Sequence, residues 1–132
     1  MEERHFTLEE ANAQVPWLEE TFASLTPLEN ELTERHSSLL ELLRQRSSNG
    51  AASTNEEIRA QQLAIERINE QLRQSLQEIT DRGIMVRNLE RGLVDFPSYR
   101  EGREAYLCWV RGEERVGFWH ETDEGFANRK RL

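Results

Sequence analysis

Hydrophobic positions change period once along this 132-residue chain, near Gly83. Before it, Leu18, Phe22, Leu25, Leu32, Leu39 and Leu43 recur at helical spacings and predict one apolar seam. Glu29 and His36 fall on that seam and weaken it. Thr7 with Glu10 three residues on forms a capping box, so a helix starts there. Pro16 has no amide to donate and crowds the preceding turn, which predicts a short first helix, a break near Val15-Pro16 and then a long helix. Pro27 predicts a second kink. Residues 46–53, RSSNGAAS, read as a loop tip. Thr54 and Glu57 form a second capping box ahead of the seam Ile58, Ile65, Ile68, Leu72, Leu76 and Ile79, and Gly83 reads as a left-handed stop. So short a connection makes the two long helices an antiparallel hairpin.

Beyond Gly83 the period becomes that of strands. Residues 84–86 are short and apolar, 88–92 turn, Leu93 to Phe96 is a strand ended by Pro97, and Glu101-Gly102 turns again. Glu104 to Val110 and Arg115 to Glu121 are two further strands around a turn at Gly112-Glu113. The expected fold is α+β: a short N-terminal helix, a long antiparallel helical hairpin (7–82) and a small C-terminal antiparallel β-meander (84–132) in a single domain. Two helices bury only one thin seam, so the meander or a second copy of the chain has to cover the rest.

A two-residue turn at Gly112-Glu113 would pair Trp109 with Val116, Leu107 with Phe118 and Ala105 with His120. Cys108 would then meet Gly117, Tyr106 would meet Trp119, and Glu104 would meet Glu121. Strand neighbours alternate faces, so a one-residue slip would undo this sorting. In that register Val94, Phe96, Leu107, Trp109, Val116 and Phe118 face the helices, with His120 at the end of their face. Cys108 and His120 lie on opposite faces, which argues against a Cys–His nucleophile pair. Asp95, Glu104 and Glu121 gather on the second face with Tyr106, Cys108 and Trp119.

Composition narrows the function classes. The net charge is −8 and the charged fraction 32%, which disfavours nucleic acid and anionic membranes as partners. The basic tail Arg129-Lys130-Arg131 is too short to change that. No apolar run is long enough to span a bilayer. The acidic N-terminus has no signal-peptide core. Cys108 is the only cysteine, so no internal disulfide can form and a cytoplasmic location is expected.

Clustered carboxylates call for a cation, either an arginine or a hard divalent metal. Arg103, Arg115 and Arg129 could supply the first, leaving the Glu104–Glu121 pair as structural acids at the sheet margin. His120-Glu121 suggests a zinc ligand, but no HExxH follows and no second His or Cys stands at ligand spacing. His120 alone reads as a histidine at the end of the core. Cys108 beside Tyr106 and Trp119 reads as a small core hydrophobe. Trp17 reads as an anchor for the start of the long helix, and Phe126 as tucked back onto the sheet.

The opening FTLEEANAQVPWLEE, the phrase GLVDFPSYREGREAYLCW and the ending GFWHETDEGFANRKRL resemble a family of small bacterial and archaeal proteins known as domain of unknown function 2203. The likeness spans essentially the whole chain. Its recurrent residues fall on Asp95, Phe96, Pro97, Gly102, Arg103, Cys108, Trp109, Trp119, His120, Gly125, Phe126 and Arg129. The family brings no assigned activity, so roles for these residues rest on their chemistry.

Two functions compete. The first is a non-enzymatic interaction or scaffold module, whose helical hairpin meets a protein partner or a second copy in a homodimer. The second is a metal- or small-ligand-binding protein, which could be a hydrolase. Its metal ligands would be Asp95, His120 and Glu121, and its ligand contacts Asp95, Arg103, Glu104, Trp119 and Arg129. A divalent metal is the cofactor such a site would take. The second ranks behind the first because the inferred register parts His120 from the carboxylates.

Overall fold

The structure is a computed structural model that describes residues 4–49 and 52–132. Its elements run α1 (Leu8–Asn49), α2 (Ala52–Asp81), β1 (Met85–Asn88), β2 (Leu93–Arg100), β3 (Arg103–Val110), β4 (Phe118–Glu121), a 3-10 turn (Phe126–Asn128) and β5 (Lys130–Arg131). The chain divides into two compact units: Ser24–Gln74, and the chain up to Ala23 together with Ser75–Leu132. The α+β class is as expected. No helix is long and apolar enough to cross a membrane.

The first capping box is present. The Thr7 amide donates to Glu10 Oε1 at 2.9 Å, and the Glu10 amide donates to Thr7 Oγ1 at 3.1 Å. The expected break at Pro16 is absent, and there is no separate short helix, because α1 runs unbroken through Pro16 and Pro27. Both prolines lie on the exposed side, while Ala11, Val15, Leu18, Phe22 and Leu25 make a continuous buried stripe. Burial along that stripe offsets the roughly 3 kcal/mol that an interior proline costs. The loop expected over 46–53 is largely helical, and Gly50 and Ala51 lie outside the described residues. Thr54 sits inside α2, two residues past its start, so it is not the cap.

In the Ser24–Gln74 unit α1 and α2 pair as a hairpin. Ile58, Ile65 and Ile68 are buried, and Arg35 Nη1 donates to Gln61 Oε1 across the helices. In the other unit Gly83 ends the helix at φ +88, and Arg82 lays its guanidinium 3.6 Å from the Trp17 ring.

The sheet is antiparallel in the order β1-β2-β3-β4-β5. Glu101 (φ 53) and Gly102 (φ 80) make the tight turn between β2 and β3, as their sequence signalled. β2 does not stop at Pro97. Beyond Asp95 no strand of β1 lies beside it, and the Pro97 carbonyl instead accepts the Phe6 amide at 2.7 Å. A residue's N and O point to the same side of a strand, so the missing amide of Pro97 falls where no ladder bond is needed. Phe6 meets Phe96 edge-on at 5.1 Å, and Phe22 stacks with Trp109 at 6.3 Å. Val94, Phe96, Leu107 and Trp109 form the helix-side face and are buried, as expected.

The register between β3 and β4 corrects the expectation. Ala105 pairs with Glu121, Tyr106 with His120, Leu107 with Trp119 and Cys108 with Phe118. The connection is not a two-residue turn but a loop over 111–117. Glu113 Oε1 accepts the Val110 amide, the Trp109 indole donates to the Glu113 carbonyl, and the Val116 amide donates to Asn12 Oδ1 on α1. Those bonds draw 113–116 off the ladder. The one-residue shift moves every β4 side chain to the opposite face. Phe118 leaves the helix-side face and Trp119 takes its place.

Candidate metal centre

With that shift Cys108 and His120 share a face, contrary to the expected separation. Asp95 pairs with Cys108 across β2 and β3, so all three project from the sheet face away from the helices. Glu104 and Glu121 are not cross-strand partners. Glu104 pairs with Tyr99 at the β2–β3 turn and binds His5 at 3.2 Å. Glu121 lies on the helix-side face, held by Arg103. The expected triad Asp95, His120 and Glu121 is thus broken, and the expected acidic cluster does not form. Trp119 too is on the helix-side face, beneath Lys130 and Arg100. Arg129 is the one predicted ligand-binding residue, beside Asp95, that reaches this site.

Asp95, Cys108 and His120 are 3%, 0% and 1% exposed. One ligand atom from each lies within 4.8 Å of the others. Arg87, on β1, donates its Nε to Asp95 Oδ2 at 2.9 Å and lies 5.1 Å over the Tyr106 ring. Arg129, just past the 3-10 turn, binds Glu113 through both Nη atoms at 3.0 and 2.8 Å and reaches to 4.0 Å from Cys108 Sγ. Its guanidinium packs on Phe118 and Phe126, so the tail does fold back onto the sheet.

The hydrogen bonds of His120 define what the cluster needs. Nδ1 lies 2.9 Å from the Glu121 carbonyl, which can only accept, so Nδ1 carries a proton. Nε2 lies 3.0 Å from Asp95 Oδ1. In the neutral ring this sets a nitrogen lone pair against a carboxylate oxygen. Such a contact, taken out of water, requires a cation between the two atoms, either a proton or a metal ion. Burial pushes the Cys108 thiol up to about 12, with the Asp95 charge adding to it and Arg129 opposing it. Without a metal the thiol is therefore protonated at neutral pH and is not a nucleophile.

The donor set is nitrogen, sulfur and oxygen, the mixture that zinc accepts at about 2.0–2.3 Å. Ligand atoms around such an ion stand roughly 3.5 Å apart, within reach of small side-chain rotations here. The Nδ1–H bond to a backbone carbonyl fixes the tautomer that presents Nε2, and Arg87 fixes the carboxylate, as outer partners do in metal sites. Replacing the bridging proton and the thiol proton by one divalent ion leaves the net charge unchanged. A cleft of about 100 Å³ beside His5 and Glu104 includes Tyr106, whose ring lies 5.5 Å from that of His120.

Sequence reasoning missed Cys108 as a ligand, together with Arg87 and Glu113. The available signal was Gly112 and Gly117 bracketing Glu113-Glu114-Arg115, a charged run with no strand alternation.

Fold and cluster define a small α+β protein with a buried Asp–Cys–His centre on a five-stranded sheet. The chain belongs to the family described as uncharacterized conserved protein (DUF2203), whose profile matches residues 4–132. Neither the comparison with curated proteins nor that with solved structures returns a match.

Proposed function

We propose that this protein binds one divalent transition-metal ion of the zinc class through Asp95, Cys108 and His120. The observation that carries the reading is the 3.0 Å approach of His120 Nε2 to Asp95 Oδ1, with the Cys108 sulfur beside them. The separation of His120 from a carboxylate, which placed this function second, does not exist. Complete burial of the donors supports a structural or storage role rather than turnover. Titration calorimetry of the chelator-treated protein with zinc is expected to give one saturable site. Zinc at a hundred times its dissociation constant should stabilise the fold by about 2.7 kcal/mol. Affinity should rise at least about tenfold per pH unit through the neutral range, because the ion displaces a thiol proton held up to about 12 as well as the bridging proton. Asp95→Asn, Cys108→Ser and His120→Ala should each abolish the site, and Glu121→Gln should spare it. Zinc uptake that survives Cys108→Ser, or none by the native chain, would sink the reading.

A second reading concerns the hairpin as a scaffold. Leu40 and Leu63, on the two helices of the Ser24–Gln74 unit, are exposed, and Leu32, Leu39 and Leu43 are only half-buried. A second copy would cover such a seam by four-helix packing. Light scattering is expected to give a dimer mass that Leu40→Glu with Leu63→Glu returns to a monomer. A native monomer at all workable concentrations contradicts it.

A further inference from the structure

The sheet's helix-side face is not wholly covered. Past Phe6 and the first turn of α1 it opens into a cleft of about 320 Å³, at the small end of ligand cavities of about 300–1,000 Å³. Its floor is Ala105, Leu107 and Trp119, and its apolar walls are Leu8 and Leu132. Both wall residues are among the five large hydrophobics exposed among the described residues. Scattered apolar residues on a surface are ordinary, whereas two gathered with Trp119 on one concavity mark a binding site.

One cationic group lines this cleft. Arg100, the last residue of β2, holds its guanidinium 4.6 Å from the Trp119 ring. Its neighbours are neutralised: Arg103 binds Glu121, and Lys130 lies 3.7 Å from Glu124. Arg100 has no carboxylate partner among the described residues, in a chain of net charge −8. Its head is thus positioned by an aromatic face and left with its planar donor fork unused.

We infer that this cleft binds a small amphipathic carboxylate, its apolar body on Ala105, Leu107 and Trp119 and its carboxylate on Arg100. A free carboxylic acid is the source the enclosed size favours. The inference is independent of the metal centre, which lies on the other face of the sheet.

The test is a titration of the full chain with octanoate, followed by the Trp119 indole N–H resonance, which Trp119→Phe assigns. Octanoate is expected to shift that signal and the amides of Leu8 and Leu107 saturably. Octanol, of the same apolar length, should bind at least about tenfold more weakly, since a hydrogen bond to a charged group contributes at least a factor of that size. Arg100→Gln should weaken octanoate by a similar factor and leave octanol unchanged. Leu8→Glu, at an exposed site where folding is not at stake, should remove octanoate binding by placing a carboxylate in the cleft. Equal binding of octanol and octanoate, unsaturable shifts spread over the surface, or octanoate affinity unchanged in Arg100→Gln would each overturn it.

Discussion

Asp95→Asn is expected to lower the unfolding free energy by about 1–3 kcal/mol in metal-free urea melts. The carboxylate is 3% exposed and accepts from Arg87 on one oxygen while facing His120 on the other. Asparagine keeps the shape but replaces one acceptor oxygen with an amide that only donates. With its oxygen turned to Arg87, the asparagine still accepts from the guanidinium and its amide donates to Nε2 of a neutral His120, so the loss comes from the missing carboxylate charge. The Arg87 guanidinium, 40% exposed, and the buried His120 ring then lose their counter-charge. Among the described residues no buried side-chain N or O lacks a hydrogen-bond partner, so the network has no spare acceptor to take over. A loss below about 1 kcal/mol would mean that Asp95 is not the hub of the cluster.

Trp109→Ala is expected to cost about 3–5 kcal/mol, the usual range for emptying a large aromatic site in a core. Trp109 is fully buried and stacks with Phe22 of α1. Its indole also donates to the Glu113 carbonyl at 3.0 Å. Glu113 in turn accepts the Val110 amide and both Nη groups of Arg129. The substitution therefore removes core volume and loosens the loop that fixes the β4 register. Trp109→Phe separates the two effects: it retains most of the stacking and loses only the indole donor, so it should cost nearer 1 kcal/mol. Urea melts of both variants check the pair. Equal losses would show that the indole N–H, rather than packing, dominates.

Helix and strand identities were legible in the sequence because each carries its period. The Thr7–Glu10 box, the seams of both helices, Gly83 and the Glu101-Gly102 turn all stand where local chemistry put them. Failures came where a local rule met a tertiary partner. Pro16 does not break α1, because the buried stripe on either side outweighs one missing hydrogen bond. Pro97 does not end β2, because Phe6 rather than a strand lies beside it. The site failed to appear for a single reason. A two-residue turn was inferred where seven residues bridge β3 and β4, held by Asn12, 104 positions away from Val116. That bond has no local signature, yet it decides which face His120 occupies. Asp95, Cys108 and His120 were each noticed in the sequence. Only their convergence required the fold.

The central claim is that Asp95, Cys108 and His120 hold one metal ion together, and cobalt(II) reports this most directly. Added to the chelator-treated protein, one equivalent should give a thiolate-to-cobalt charge-transfer band and the visible bands of a tetrahedral site. Zinc should displace both, and Cys108→Ser should eliminate the charge-transfer band. A spectrum that remains that of the aqueous ion would contradict the account and leave the cluster a proton-bridged hydrogen-bond network.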